Sequence, residues 1–194
     1  MAKITWPGAT LLSPVPVVIV TCGSMEKPNA TTVAWTGIVN SEPPMTYVSL
    51  RKSRHSHKII SETGEFVINL TTAELAHAAD FCGMYTGAKV NKAQKLGVHL
   101  IPSEEVACPS LAESPLSLEC RVFEVKHLGS HDMFLSDIVA VTVDDSLLDE
   151  HGKLRLERAN LCAYAHGDYF ALGRRLGAFG FSAVKKKKHK PVKK

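Results

Sequence analysis

The sequence predicts a mainly β fold carrying short helical inserts, and three observations predict it. Segments of five to twelve residues rich in Val, Ile, Thr and Phe recur along the chain, bounded by Gly, Pro, Asn and Asp. Only two or three stretches carry the apolar spacing of a helix, and each is short. Two long strand-like segments lie side by side in the sequence, separated by a glycine-containing connection of hairpin type. At 194 residues and 21.1 kDa, the chain suits one domain with a substantial core, expected over residues 1–184. Strand spacing alone leaves a sandwich and a barrel equally open.

Taken in order, residues 1–14 read as a leading arm with a turn at Trp6-Pro7-Gly8. Val17–Thr21 is the β-branched run of a buried strand, and Gly23–Asn29 is a polar turn. Thr31–Val39 is a second strand, with Val33 and Trp35 on one face and Thr32, Ala34 and Thr36 on the other. Glu42-Pro43-Pro44 forces an extended entry to the strand Met45–Leu50. A short helix over 54–62 ends at Gly64, and Phe66–Leu70 is another buried strand. Thr71-Thr72-Ala73-Glu74 has capping-box form and opens a helix to about Cys82, stopped by Gly83. A basic loop follows from Tyr85 and closes on a short helix near Leu96. The long strands Ser117–Leu128 and Met133–Asp144 meet through Leu128-Gly129-Ser130-His131-Asp132. Asp144–Arg158 is a charged excursion, and Leu161–Ala163 and Tyr169–Leu172 are short closing strands.

Charge is unevenly spread. The formal net charge is +4, but the tail 185–194 holds seven lysines and no acid, so the rest of the chain is mildly acidic. An acidic body argues against a nucleic-acid-binding face, and the tail reads as a solvated, disordered end. Five cysteines, odd in number and without a CxxC, suit reduced thiols rather than a disulfide framework or a metal site. The N-terminus lacks a signal-peptide core, and Val15–Val20 is too short to span a bilayer. A cytoplasmic protein without membrane attachment is the expectation.

Two stretches carry chemistry. Pro28–Thr36 is a turn entering a strand whose small and hydroxylated side chains leave room for a flat ligand and donate to its edge. Read by itself, it also describes an ordinary half-buried strand with Trp35 in the core. The basic run Arg51-Lys52-Ser53-Arg54-His55-Ser56-His57-Lys58 lies where a strand gives way to a helix, and helix-start amides with Arg and Lys make an anion site. Read by itself, that run also describes a solvated basic loop. A flat ring and one phosphate outline a mononucleotide. No GxGxxG follows a strand, and neither GxxxxGK[ST], HExxH nor GxSxG occurs.

Asn29-Ala30-Thr31-Thr32-Val33-Ala34-Trp35, Arg54-x-Ser56-His57, Thr63–Leu70 and Gly129-Ser130-His131-Asp132-x-Phe134 occur in that order. Together they resemble the flavin reductase-like family of FMN-binding split β-barrels, over about Pro14 to Ser182. The resemblance selects the split barrel over the sandwich. It implies an FMN-binding oxidoreductase that accepts hydride from NADH or NADPH and passes electrons to free flavin, a ferric complex or a protein acceptor. By that resemblance Asn29, Thr31, Thr32, Ala34, Trp35 and Thr36 line the isoalloxazine ring. Arg54 and His57, with Ser49 and Arg51 next, contact the ligand; Thr86, Asn91 and Lys92 close over it, and Tyr169 supplies an aromatic nearby. His131 matches the family histidine that positions the nicotinamide, with no acid or base role. The family often has Gly-Asp-His where this chain has Gly-Ser-His-Asp, which puts an Asp–His bond in question.

Two rivals stand beside that reading. One is a flavoredoxin-like FMN electron carrier with little direct NAD(P)H activity. The other is a split-barrel module for another planar ligand such as haem, with His55, His57 and His131 as axial candidates. The resemblance also implies a homodimer, which would cover exposed sheet edges.

Overall fold

In the computed structural model of the protein, residues 1–183 are described; the basic tail expected to be disordered lies outside them. The chain runs through β1 (Val15–Pro16), β2 (Val18–Gly23), β3 (Pro28–Val33), β4 (Thr36–Ser41) and β5 (Pro44–Arg51) to α1 (His55–Thr63). It continues through β6 (Glu65–Leu70), α2 (Ala76–Met84), α3 (Lys92–Leu96), β7 (Leu100–Ile101) and β8 (Ser110–Leu111). The long hairpin β9 (Leu116–His127) and β10 (His131–Val143) follows, and β11 (Cys162–Ala165) and β12 (Asp168–Ala171) close the fold.

Seven strands form one antiparallel sheet in the order β3-β2-β6-β9-β10-β5-β4. β3 and β4 are its opposite edges, yet only Ala34 and Trp35 separate them in sequence. The three steps from Val33 to Thr36 reach only about 10 Å, so the sheet must curl until its edges meet. Register shifts at Leu135/Ser136, Ile138/Ala140 and Ile38/Asn40 supply bends. At the meeting point the Ser49 N–H donates to the Trp35 carbonyl at 2.9 Å, but β3 and β5 share no ladder. The barrel is split there, which is the architecture the family resemblance implied.

The interior holds Val18, Val20, Val48, Phe66, Ile68 and Phe134. Ile60 from α1 closes one end, one turn after buried Ser56. Phe66 and Phe134 are fully buried, and truncating either to Ala costs about 3–5 kcal/mol. A second cluster, with Val17, Ile19, Leu75, Ala78, Ala79, Leu111 and Cys162, packs α2 onto the outside of β2. Buried Asn69 ties the layers together: its amide donates to the Ile19 carbonyl and Thr21 Oγ1, and its carbonyl accepts from Leu111 N and Ser117 Oγ.

Three local expectations need correction. The single strand Thr31–Val39 is two strands, because the chain turns at Ala34–Trp35 to cross between sheet edges. Val33 is therefore buried at 3% exposure, while Trp35 points out at 41%. The capping box does not close: Thr72 Oγ1 accepts from Leu75 N, but Glu74 is drawn off by Asn160 Nδ2 at 2.7 Å. Gly83 does not stop α2, which runs to Met84. Gly64, by contrast, ends α1 in the left-handed conformation, with φ of 69°.

Candidate functional site

Two chambers lie along the split. The larger, about 280 Å³, is cationic. Arg51, Ser53, Arg54, His55 and Ser56 form one wall, and Tyr85, Thr86, Gly87 and Lys92 form the other. α1 begins there with Arg54 as its N-cap and no side-chain cap, and the residues that open it, Arg54, His55 and Ser56, line the chamber. Arg54 Nη1 is steadied by the Gly83 carbonyl at 2.8 Å. Lys92 is buried, donating Nζ to the carbonyls of Ala30 and Cys82 at 2.7 Å each, and burial holds its pKa below the usual lysine value. Of the three donors on an ammonium, one is thus left for a ligand.

The smaller chamber is a slot of about 150 Å³ between β3 and β5, walled by Thr31–Trp35, Ser49–Arg51, Arg54 and His131. Thr31, Arg51 and Arg54 line both chambers, which makes one continuous groove. The His131 ring lies 4.5 Å from the Trp35 indole, tilted by 36°, with Ser130 Oγ 2.9 Å from its Nδ1. Burial and then the nearby Arg51 charge lower the His131 pKa, which favours the uncharged ring.

Of the residues singled out from sequence, Thr31, Thr32, Ala34, Trp35, Ser49, Arg51, Arg54, Thr86, Lys92 and His131 line this groove. Thr32 Oγ1 is already committed to the Ala79 carbonyl. Asn29 sits one layer behind: its amide donates to Ser56 Oγ at 2.6 Å, while its Oδ1 is buried without a partner among the described residues. Gly87 passes so close to that oxygen that a Cβ would lie 1.7 Å from it, so the 86–88 turn needs glycine here.

The other four lie off the groove. Thr36 bonds the Tyr47 carbonyl on the far side of Trp35. Asn91 caps α3, accepting from Gln94 N at 3.2 Å. Tyr169 stacks edge-on with Tyr164 under α2 and reaches Asp80, with burial first and that carboxylate second pushing its phenol up to about 12. His57 donates Nε2 to Asp132 Oδ2 at 2.8 Å and packs on Phe134.

Asp132 itself was not singled out as a site residue. Adjacent residues on a strand face opposite ways, so Asp132 points away from His131, and no Asp–His131 bond forms. Burial pushes its carboxyl up, but hydrogen bonds from His127 and His57 and the charges of His127 and Lys52 outweigh it, holding the pKa at about 2. Tyr85 and Gly87 were also missed, since only the folded loop brings them opposite Arg54.

Comparisons with known proteins bear on the fold and the family. A family model described as the flavin reductase like domain matches residues 11–173. The flavoredoxin of Desulfovibrio vulgaris (Miyazaki F) is similar in structure, with TM-score 0.86 and 31% identity over 95% of this chain and 100% of that one. A flavoredoxin from Methanosarcina acetivorans has TM-score 0.85 and 26% identity with the same coverage. The FMN reductase (NADH) RutF of Stutzerimonas stutzeri is 27% identical over 108 residues, which span 56% of this chain and 60% of that protein.

Proposed function

This chain belongs to the flavin reductase-like domain family, a flavin-binding family, and we propose that it is an FMN-dependent oxidoreductase reduced by NADH or NADPH. The observation that carries the reading is the continuity of the two chambers through Thr31, Arg51 and Arg54. A cationic end joined to a narrow slot fits a molecule with one phosphate and one flat ring. The free donor capacity of Lys92 fits a polar ligand as well.

When bound, the flavin supplies hydride acceptance from a nicotinamide and electron delivery to free flavin, a ferric complex or a protein acceptor. Arg51, Arg54 and the first amides of α1 hold the phosphate. Trp35 and Ser49 flank the ring slot. His131, in the lining of the slot, would orient the nicotinamide without exchanging a proton.

A second reading is favoured by the similarity to two flavoredoxins along their whole length: an FMN electron carrier reduced slowly by NAD(P)H. Exposed Trp6, Leu12, Leu176 and Phe179 in the two terminal arms support a homodimer that covers them. Five free, buried cysteines support a reducing compartment such as the cytoplasm. No helix among the described residues is long and apolar enough to cross a membrane.

The deciding experiment records visible spectra of the FMN-loaded protein under anaerobic NADH or NADPH. Rapid bleaching supports the reductase, and persistent bands that bleach only with a protein donor support the carrier. Absence of flavin binding overturns both.

A further inference from the structure

Asp132 lies next to His131 but outside the groove. Three elements reach its carboxylate: His57 Nε2 from α1 hydrogen-bonds Oδ2 at 2.8 Å, while His127 Nδ1 from β9 at 3.0 Å and Lys52 Nζ from the β5–α1 turn at 3.5 Å lie within ion-pair distance of Oδ1. Its side chain is 3% exposed, against 71% for His127 and 53% for Lys52, so the contacts converge from the rim onto a buried anion. A buried carboxylate is costly unless donors surround it, and here they come from separate segments of the chain.

The placement of the pair matters more than the charge. His131 faces the ring slot, and Asp132, on the other face of β10, holds His57 in the first turn of α1. That same turn presents Arg54, His55 and Ser56 to the cationic chamber. Its other polar ties run elsewhere, Ser56 to Asn29 on β3 and Arg54 to Gly83 on α2. Asp132 thus links the turn that lines one end of the groove to the strand that lines the other.

We propose that Asp132 is a positioning residue that sets the spacing between the two ends of the flavin groove, holding the α1 start in register with His131. The inference rests on the flavin reading of that groove. A carboxylate suits the task because both oxygens only accept, so donors on opposite sides can be held at once. Asparagine has the same shape but turns one acceptor into a donor aimed at its neighbours.

The test compares wild type with Asp132→Asn. Expected are roughly tenfold weaker FMN binding and a roughly tenfold lower kcat with NADH at nearly unchanged KM, as small misplacements of reacting groups give. The visible circular dichroism of bound FMN changes too, reporting the altered ring environment. In flavin-free protein, amides of residues 54–58 and 128–132 exchange hydrogen faster while the barrel core does not. His127→Gln removes one exposed partner, so folding is preserved, and it shifts each readout the same way by less. Wild-type affinity, kcat and exchange in Asp132→Asn overturn the proposal, as does lowered stability with flavin dichroism and rate unchanged. If wild type binds no FMN, the flavin reading falls and the cofactor role falls with it. The exchange data then decide separately whether Asp132 ties the two segments.

Discussion

The cationic chamber takes one whole wall from a continuous stretch, Arg51–Ser56, whereas the ring slot draws on residues 31–35, residues 49–51 and His131. The first kind of wall needs a strand to end and a helix to begin. The second needs the sheet to close on itself. A locally built site concentrates its energy in a few charged groups, while a site built by convergence depends on backbone placement, so the two ends should fail differently.

Removing charge should have the largest effect. Arg54→Ala is expected to weaken FMN binding by about 2–3 kcal/mol, near a hundredfold, as loss of a charge-assisted contact to phosphate does. Isothermal titration measures it, and a change below threefold would move the phosphate away from this chamber.

Crowding the opposite wall comes next. Gly87→Ala puts a methyl group against Asn29 Oδ1 and should cost about 1–2 kcal/mol of FMN affinity by displacing the Asn29–Ser56 bond. Combining it with Asn29→Ser makes room; recovery of affinity in the double variant sharpens the assignment, and no recovery sinks it.

The link between the ends should be sensitive to acid. The Asp132 carboxyl is held below its ordinary 3.8, at about 2, so the folded state favours the ionised form. Its stabilisation is complete above pH 3.8 and disappears as pH falls towards 2, on the order of 1–2 kcal/mol. Chemical denaturation of wild type and Asp132→Asn from pH 5 to 2 should show the gap closing as pH drops. A constant gap would contradict the ion-pair account.

The smallest effect belongs to a residue off the groove. Asn91→Ala removes the cap of α3 and should cost about 1 kcal/mol of stability with FMN affinity unchanged. Thermal melts with and without FMN separate the two, and a tenfold affinity loss would return Asn91 to the ligand.

The same division explains how far the sequence could be read. Alternation marked the strands on either side of the core, and Gly64 marked the end of α1, because both signals act over a few residues. Arg51 and Arg54 were legible for that reason, lying where a strand pattern meets a helix pattern. Trp35 was expected to share a face with Val33, and the crossing between sheet edges reversed it. His57 looked like a ligand contact because its partner, Asp132, lies 75 residues away on β10. Tyr169 looked like a site aromatic, but β12 pairs with β11 in the small sheet and carries it under α2.

By itself, then, the sequence determined most of the longer strands, the end of α1, the meeting of a basic run with the start of that helix, and the family. Those depend on local periodicity, on backbone groups that need partners and on an ordered set of motifs. Tertiary structure alone decided that two residues bridge opposite edges of a seven-stranded sheet, opening a slot beside Trp35, and that neighbouring His131 and Asp132 serve opposite faces of one strand. Sheet closure joins segments far apart in sequence, and no local pattern encodes which of them will meet.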